Sequence, residues 1–465
     1  MVHLKIATSI YQSQVADLLP CNNSCKSSLT FALLRSYGLL ELFDEVIETS
    51  SCTGAELKQF HSKDYVNLLL DPKLNASLDW ESKKDLWNHF AESANHWLKD
   101  NEENPLTLWH TSKRELYEEF PNSSKSTTEQ KTSKFARWGQ LLADSEEEGE
   151  NSLDDVSFDG DAYEKALEEH GLLYDCHVFS YLPLYCQVTT GATLALAKNL
   201  KRSDQRSISI NWDGGRHHAL KSKANGFCYV NDIVLLIQRA RRQGLQRITY
   251  IDFDLHHGDG VERAFRYSTN VQTISLHLYE QGFFPGTGST DDAKSGKNVF
   301  NIPLRHGLDD KYLSELTERV VVPCASRNEP ELVVIQCGGD GLIGDKYKEW
   351  QLSIKGLTKS IMRIVDQFSH AHIVLLGGGG YNERVMSRFY TYLTWSVVEK
   401  FSNHYAPANP FLGVDDVMPD HEFIDLYKDE FYKFWFYDLE GTSKKSLKNN
   451  NTPDYIDQLC ELYNI

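Results

Sequence analysis

The chain has 465 residues, with 66 acidic and 48 basic side chains and a net charge of −18. That balance argues against nucleic acid as a direct partner, and no apolar run approaches the ~18 residues that a membrane-spanning helix needs. The nine cysteines are scattered without a CxxC pair, which points to a reduced, intracellular protein rather than a disulfide scaffold.

In chain order, the opening "MVHLKIATSIYQSQ" has no basic flank followed by an apolar core, so no signal peptide is expected. "CNNSC" (Cys21 to Cys25) has the wrong spacing for a zinc knuckle and no second half. Residues 1–70 read as mixed α/β. "SSLTFALLRSYGLLELFDEV" carries helical spacing, and "LKQFHSKDYVNLLL" follows it. Composition then changes. Residues 71–170 include "PNSSKSTTEQKTSK" and "DSEEEGENSLDDVSFDGD", and residues 100–170 alone carry 19 acidic and 7 basic side chains. Two-thirds of the acidic excess therefore sits there. This stretch is expected to be an acidic, partly disordered insertion, with "DLWNHFAESANHWL" and "FARWGQLL" as short helices inside it. From 171 to about 400 the strands "SISINW", "ITYIDFDL", "QTISLHL", "ELVVIQC" and "HIVLLGG" alternate with helical patterns such as "YVNDIVLLIQRARRQ". The alternation predicts an open, mostly parallel α/β sheet with helices on both faces. Residues 401–465 form an aromatic-rich extension that turns to "TSKKSLKNNNT". There is no internal repeat.

Polar clusters follow the strands, where open α/β sheets carry their sites. "SISINW" runs into "DGGRHHAL" with His217 and His218. "ITYIDFDL" runs into "HHGDG". "ELVVIQC" runs into "GGDG" with Asp340, and "HIVLLGG" runs into "GGYN" with Tyr381. "ITYIDFDL" reads as a strand, so Asp252, Asp254 and His256 are expected to share one face at its carboxyl end. Any one cluster has a bland reading, since paired histidines and turn aspartates are common. A nucleotide loop is discounted, because GxGxxG starting at Gly377 needs a glycine where Asn382 stands. Four clusters after four apolar strands are hard to explain by chance. Asp254, His256 and Asp340 suit one divalent metal. His217 and His218 can serve as general base and acid, oriented by Asp252 and Asp259. Tyr381 can donate to an oxyanion. Together these groups suggest metal-assisted hydrolysis of an amide.

"GGRHHA", "GFCYVND", "DFDLHHGDGVE", "GFFPGTG" and "GGGGYN" strongly resemble the zinc-dependent histone deacetylase family, class I type, over roughly 1–70 and 171–400. "FHSKDY", "NWDGGRHHA" and "MSRFYTYLTW" are similar to the fungal Hos-type branch that acts on cohesin. The resemblance implies an arginase-like fold and hydrolysis of N6-acetyl-lysine, with residues 171–400 as the catalytic core completed by 1–70. It implies zinc on Asp254, His256 and Asp340, although ferrous iron suits the same donors. It implies catalysis by His217, His218, Asp252, Asp259 and Tyr381. Phe227 and Phe284 match the walls of the acetyl-lysine tunnel, with Gly226 beside them, and Asp175 matches a rim aspartate that grips the substrate backbone. A structural potassium ion maps to Asp252, Asp254, His256 and Ser275. The implied substrates are acetylated proteins, a cohesin ATPase subunit or histones, in the nucleus and also the cytoplasm.

Several residues depart from the family pattern. Arg216 replaces an aromatic residue before the histidine pair, "GGDG" replaces Gly-Ala-Asp-Ser, and Tyr347 replaces a smaller residue at the tunnel mouth. Glu41 falls where a basic residue near the tunnel foot is expected. Lys346 replaces one inositol-phosphate arginine while Arg384 matches another, so inositol-phosphate binding is not expected to carry over intact. Two rival readings exist. An arginase- or agmatinase-like ureohydrolase needs a second metal, but Gly258 and Leu342 occupy its ligand positions. An inactive scaffold would not need the complete set of ligands and histidines.

Overall fold

In a computed structural model, the chain builds one eight-stranded sheet in which every pairing is parallel, in the order β2-β1-β3-β8-β7-β4-β5-β6. The structure describes residues 2–23, 25–48, 50–71, 160–179, 181–198, 200, 205–404, 409–413, 417–438 and 447–465. Most of the acidic segment, with its two expected short helices, lies outside the described residues. Its end is Gly160–Glu169, a helix.

The strands are β1 His3–Ala7, β2 Glu45–Ile47, β3 Ser207–Asn211, β4 Ile248–Asp252, β5 Val271–Leu278, β6 Val299–Leu304, β7 Leu332–Gln336 and β8 His372–Leu376. The central ones are buried on both faces, which is why their sequences are nearly continuous apolar runs. Alternate residues still divide between two cores. Ile248 and Tyr250, Leu332 and Val334, and Val374 and Leu376 face one core with the helices Leu182–Leu196 and Asp232–Arg242. Ile251, Ile335, Ile373 and Leu375 face the other, with the helices Lys26–Ser36, Ile354–Gln367 and Glu383–Phe401.

Three expectations change. The helical pattern from Ser27 to Val46 is broken. The helix stops at Ser36, and Gly38 takes the left-handed conformation (φ 68°) that ends helices. A 3₁₀ turn, Leu39–Leu42, and β2 follow. "VFNIPL" is a strand, β6, that the alternation did not announce; its Pro303 is tolerated because β6 is an edge strand. The C-terminal helix Pro453–Tyr463 covers that edge, with the Tyr455 and Tyr463 hydroxyls donating to Pro303 O and Asn301 O. The third change concerns β4, which ends at Asp252. Asp254 and His256 are therefore on the following loop, not on a strand face.

Strands β3, β8, β7 and β4 are consecutive neighbours, and Asn211, Leu376, Gln336 and Asp252 lie in one register across them. The four polar loops therefore leave the sheet side by side.

Candidate active site

Carboxylates shape the loop after β4. Asp254 N donates to Asp252 Oδ1 (3.1 Å), and His256 N donates to Asp254 Oδ1 (3.0 Å). Leu255 N donates to Asp340 Oδ1 across the sheet (2.9 Å). Side chains that capture the backbone in this way end a ladder and set a tight turn. Asp254 Oδ2 accepts from Gln336 Nε2 (2.7 Å) and Gly379 N (2.8 Å).

Asp254, His256 and Asp340 are all buried, and their ligand atoms lie within 4.8 Å of one another. His256 Nδ1 is 2.9 Å from Asp340 Oδ2 and 3.3 Å from Asp254 Oδ1. Burial and then the charge of Asp254 push the Asp340 carboxyl up to about 7. Two adjacent buried carboxylates with one imidazole make a donor set that a divalent cation satisfies, so the residues fit a metal. A second metal is not provided for. Leu342 is buried and apolar, and a Cβ on Gly258 would sit 2.2 Å from Asp252 Oδ2. Elemental analysis is expected to find one divalent transition metal per chain; two would contradict the one-site geometry.

Behind the metal triad stand two buried His–Asp pairs. His217 Nδ1 is 2.8 Å from Asp252 Oδ2, and His218 Nδ1 is 2.9 Å from Asp259 Oδ1. Their environments differ. Burial opposes charge on His217, but Asp252 and Asp254 outweigh it and raise the imidazole to about 9. His218 is lowered to about 4 by burial and by the neighbouring His217. One imidazole is thus held charged and the other neutral.

Tyr381 follows Gly380 (φ 121°), and its N–H donates to Asp345 Oδ2 (2.7 Å). The approach is close: a Cβ on Gly379 would lie 2.5 Å from Asp340 Oδ2. The Tyr381 ring meets Phe227 (5.8 Å) and Tyr347 (5.3 Å), while Phe284 meets His218 (5.0 Å). Phe284 and Tyr347 are partly exposed, so an aromatic-walled passage leads from the surface to the triad. Phe227 and Gly226 both have positive φ. Asp175 Oδ2 accepts from Gly226 N (2.8 Å), which ties the rim aspartate to the passage wall. Ser275 lies opposite Asp252 on β5, and its hydroxyl is 3.0 Å from His277 Nδ1.

The expectation for Glu41 is corrected. It lies exposed on the 3₁₀ turn, away from the buried site, because the preceding helix ends at Gly38. The basic residue at the foot is Lys26, buried, with Nζ donating to Gly378 O (3.0 Å) and Gly380 O (3.1 Å). Only its position opening an apolar helix could have singled it out. Gln336 was also missed, as was Tyr250, whose hydroxyl donates to Asp252 Oδ2 (2.6 Å); neither residue type announces a site. Arg384 is 3.1 Å from Glu430 of the C-terminal extension, and Lys346 Nζ donates to Asn23 Oδ1 (3.2 Å). All nine cysteines are free, and among the described residues no helix is long and apolar enough to cross a membrane.

A family model described as histone deacetylase domain matches residues 20–397. Histone deacetylase HOS1 of Saccharomyces cerevisiae is 45% identical over 483 residues, covering 100% of both chains. Histone deacetylase 1 of Homo sapiens is 36% identical over 301 residues, covering 64% of this chain and 57% of that protein. Histone deacetylase 8 of Xenopus laevis is 37% identical over 282 residues, covering 60% of this chain and 82% of that protein.

Proposed function

The chain belongs to the histone deacetylase family, and from that premise we propose that it hydrolyses N6-acetyl-lysine on proteins with the residues gathered beyond β3, β8, β7 and β4. The observation that carries the reading is the buried Asp254–His256–Asp340 triad, set beside two His–Asp pairs and Tyr381 at the end of an aromatic passage.

A divalent cation on the triad would polarise the acetyl carbonyl and activate water; zinc is the metal proposed, and ferrous iron suits the same donors. The protein groups divide the remaining work. Phe227 and Phe284 bind the apolar stem of the lysine, and Asp175 accepts amide hydrogens from the substrate backbone. His218, neutral and oriented by Asp259, takes the proton of the attacking water. His217, charged and paired with Asp252, opposes the negative charge that develops. Tyr381 donates its hydroxyl to the oxyanion. A structural potassium ion is proposed on the segment Asp252, Asp254 and His256 with Ser275; the register of Ser275 opposite Asp252 supports it.

The substrate proposed is an acetylated lysine in a polypeptide, with a cohesin ATPase subunit first and histones second, in the nucleus and also the cytoplasm. An aromatic passage with a carboxylate at its rim suits a lysine within a chain, so free small amides should be poor substrates. Residues 100–165, strongly acidic in sequence, are proposed to attract a basic partner surface, an attraction that salt would screen. Turnover of an acetylated cohesin-head peptide is expected to exceed that of acetylpolyamine. Faster turnover of acetylpolyamine would overturn the protein-substrate reading. Unchanged activity on intact acetylated protein after deletion of residues 100–165 would remove that segment from the mechanism.

A further inference from the structure

The loop 281–289 carries Phe283 and Phe284, and its tip stands away from the fold. A Cβ on Gly282 (φ 81°) or Gly286 (φ 75°) would meet nothing within 4 Å, and Phe284 is exposed. Ring contacts hold the inner side of the loop. Phe283 stacks on His256 (5.0 Å between centroids, 10° between planes), and Phe284 meets His218 (5.0 Å). Such rings make a precise wall only if the backbone that presents them is fixed.

The fixing occurs at the far end of the loop, on His257, a buried histidine with no role in the chemistry above. His257 Nδ1 is 2.9 Å from the Thr287 hydroxyl, and Nε2 donates to Glu262 Oε2 (2.8 Å). Glu262 is itself held by Asn301 Nδ2 (2.8 Å) and Arg266 Nη2 (3.1 Å). The residue after Thr287, Gly288 (φ 97°), packs against the same ring. A Cβ there would lie 2.6 Å from His257 Cγ and 2.3 Å from His277 Nε2, and Gly288 O accepts from that nitrogen (2.9 Å). Glu262 stands on the helix Asp259–Phe265, which begins with the residue that orients His218. One short helix thus braces the catalytic imidazole and, through His257, the loop whose Phe284 touches it.

We infer that Thr287 and His257 are positioning residues: their hydrogen bond, braced by Glu262, sets the loop so that Phe284 stands as a wall for the lysine stem. This rests on the proposed function. A pair that only stabilised the core would alter folding stability alone; a positioning pair alters substrate binding. His218 keeps its own brace on Asp259, so loosening the loop should fall on KM and leave kcat in place.

The test compares wild-type, Thr287→Val and Thr287→Ser full-length protein, each loaded with zinc, by peptide turnover and by hydrogen exchange of residues 281–289. Thr287→Val keeps the shape and removes the hydroxyl. It is expected to raise KM for an acetyl-lysine peptide about 3- to 10-fold, the worth of one hydrogen bond, with kcat and metal content unchanged and exchange in the loop faster. Thr287→Ser, which restores the hydroxyl, is expected to return KM and exchange to wild-type values. Thr287→Ala carries the same comparison if the valine variant does not fold. Unchanged KM in a folded variant lacking the hydroxyl, a loss confined to kcat, or a serine variant as impaired as the valine one would overturn the inference. Exchange that depends on the Thr287 hydroxyl in a zinc-loaded wild-type protein without peptide turnover would leave the loop anchor standing and sink the proposed function instead.

Discussion

Replacing Tyr381 by phenylalanine is expected to leave fold and metal content unchanged and to lower turnover of an acetyl-lysine peptide about 10²–10³-fold. The backbone of Tyr381 is held by Asp345, and its ring is held by contacts with Phe227 and Tyr347; a phenylalanine ring keeps both. What disappears is the hydroxyl. Burial, followed by the charge of Asp340, raises that hydroxyl well above its ordinary value, so it stays protonated and able to donate. A donor aimed where charge develops acts on the transition state rather than on binding, so the loss should fall on kcat with little change in KM. Near-normal kcat in a metal-replete variant would remove Tyr381 from that role.

His218→Ala is expected to cost about 10²–10⁴-fold in kcat/KM, the usual range for a general base, and more than His217→Ala. The division follows from the two environments. Asp252 at Nδ1 favours the charged form of His217, and a charged imidazole cannot accept a proton. Burial and His217 hold His218 neutral, and Asp259 at Nδ1 fixes the ring. The measurement is kcat/KM for both alanine variants, with circular dichroism and metal content as controls. Equal losses, or a larger loss at His217, would contradict the assignment.

The core of the sheet was legible because β3, β4, β7 and β8 are buried on both faces, and such strands write themselves as apolar runs. The site was legible for a related reason. A histidine or aspartate directly after such a run has no structural need to be there, and four of the runs do this. The edges were less legible. β6 carries Pro303, which speaks against a central strand and is permitted only because β6 lies at the edge. Gly38 splits what reads as one helix, and its left-handed backbone leaves no periodic trace. For Asp254 and His256 the strand-face argument does not hold, since loop hydrogen bonds rather than a strand face bring them together. Lys26 and Gln336 act through contacts across the fold, with Gly378 and Gly380 and with Asp254, that no local pattern encodes.

The central claim is that this chain removes acetyl groups from protein lysines with one metal on Asp254, His256 and Asp340. Its most direct test is acetate release from an acetylated peptide by full-length protein stripped with a chelator and then reloaded with zinc. Activity should vanish on stripping and return in full at one equivalent per chain, while Asp254→Asn protein should neither retain the metal nor regain activity. Acetate release that persists in protein shown by elemental analysis to be metal-free, or no release from fully loaded protein, would contradict the account.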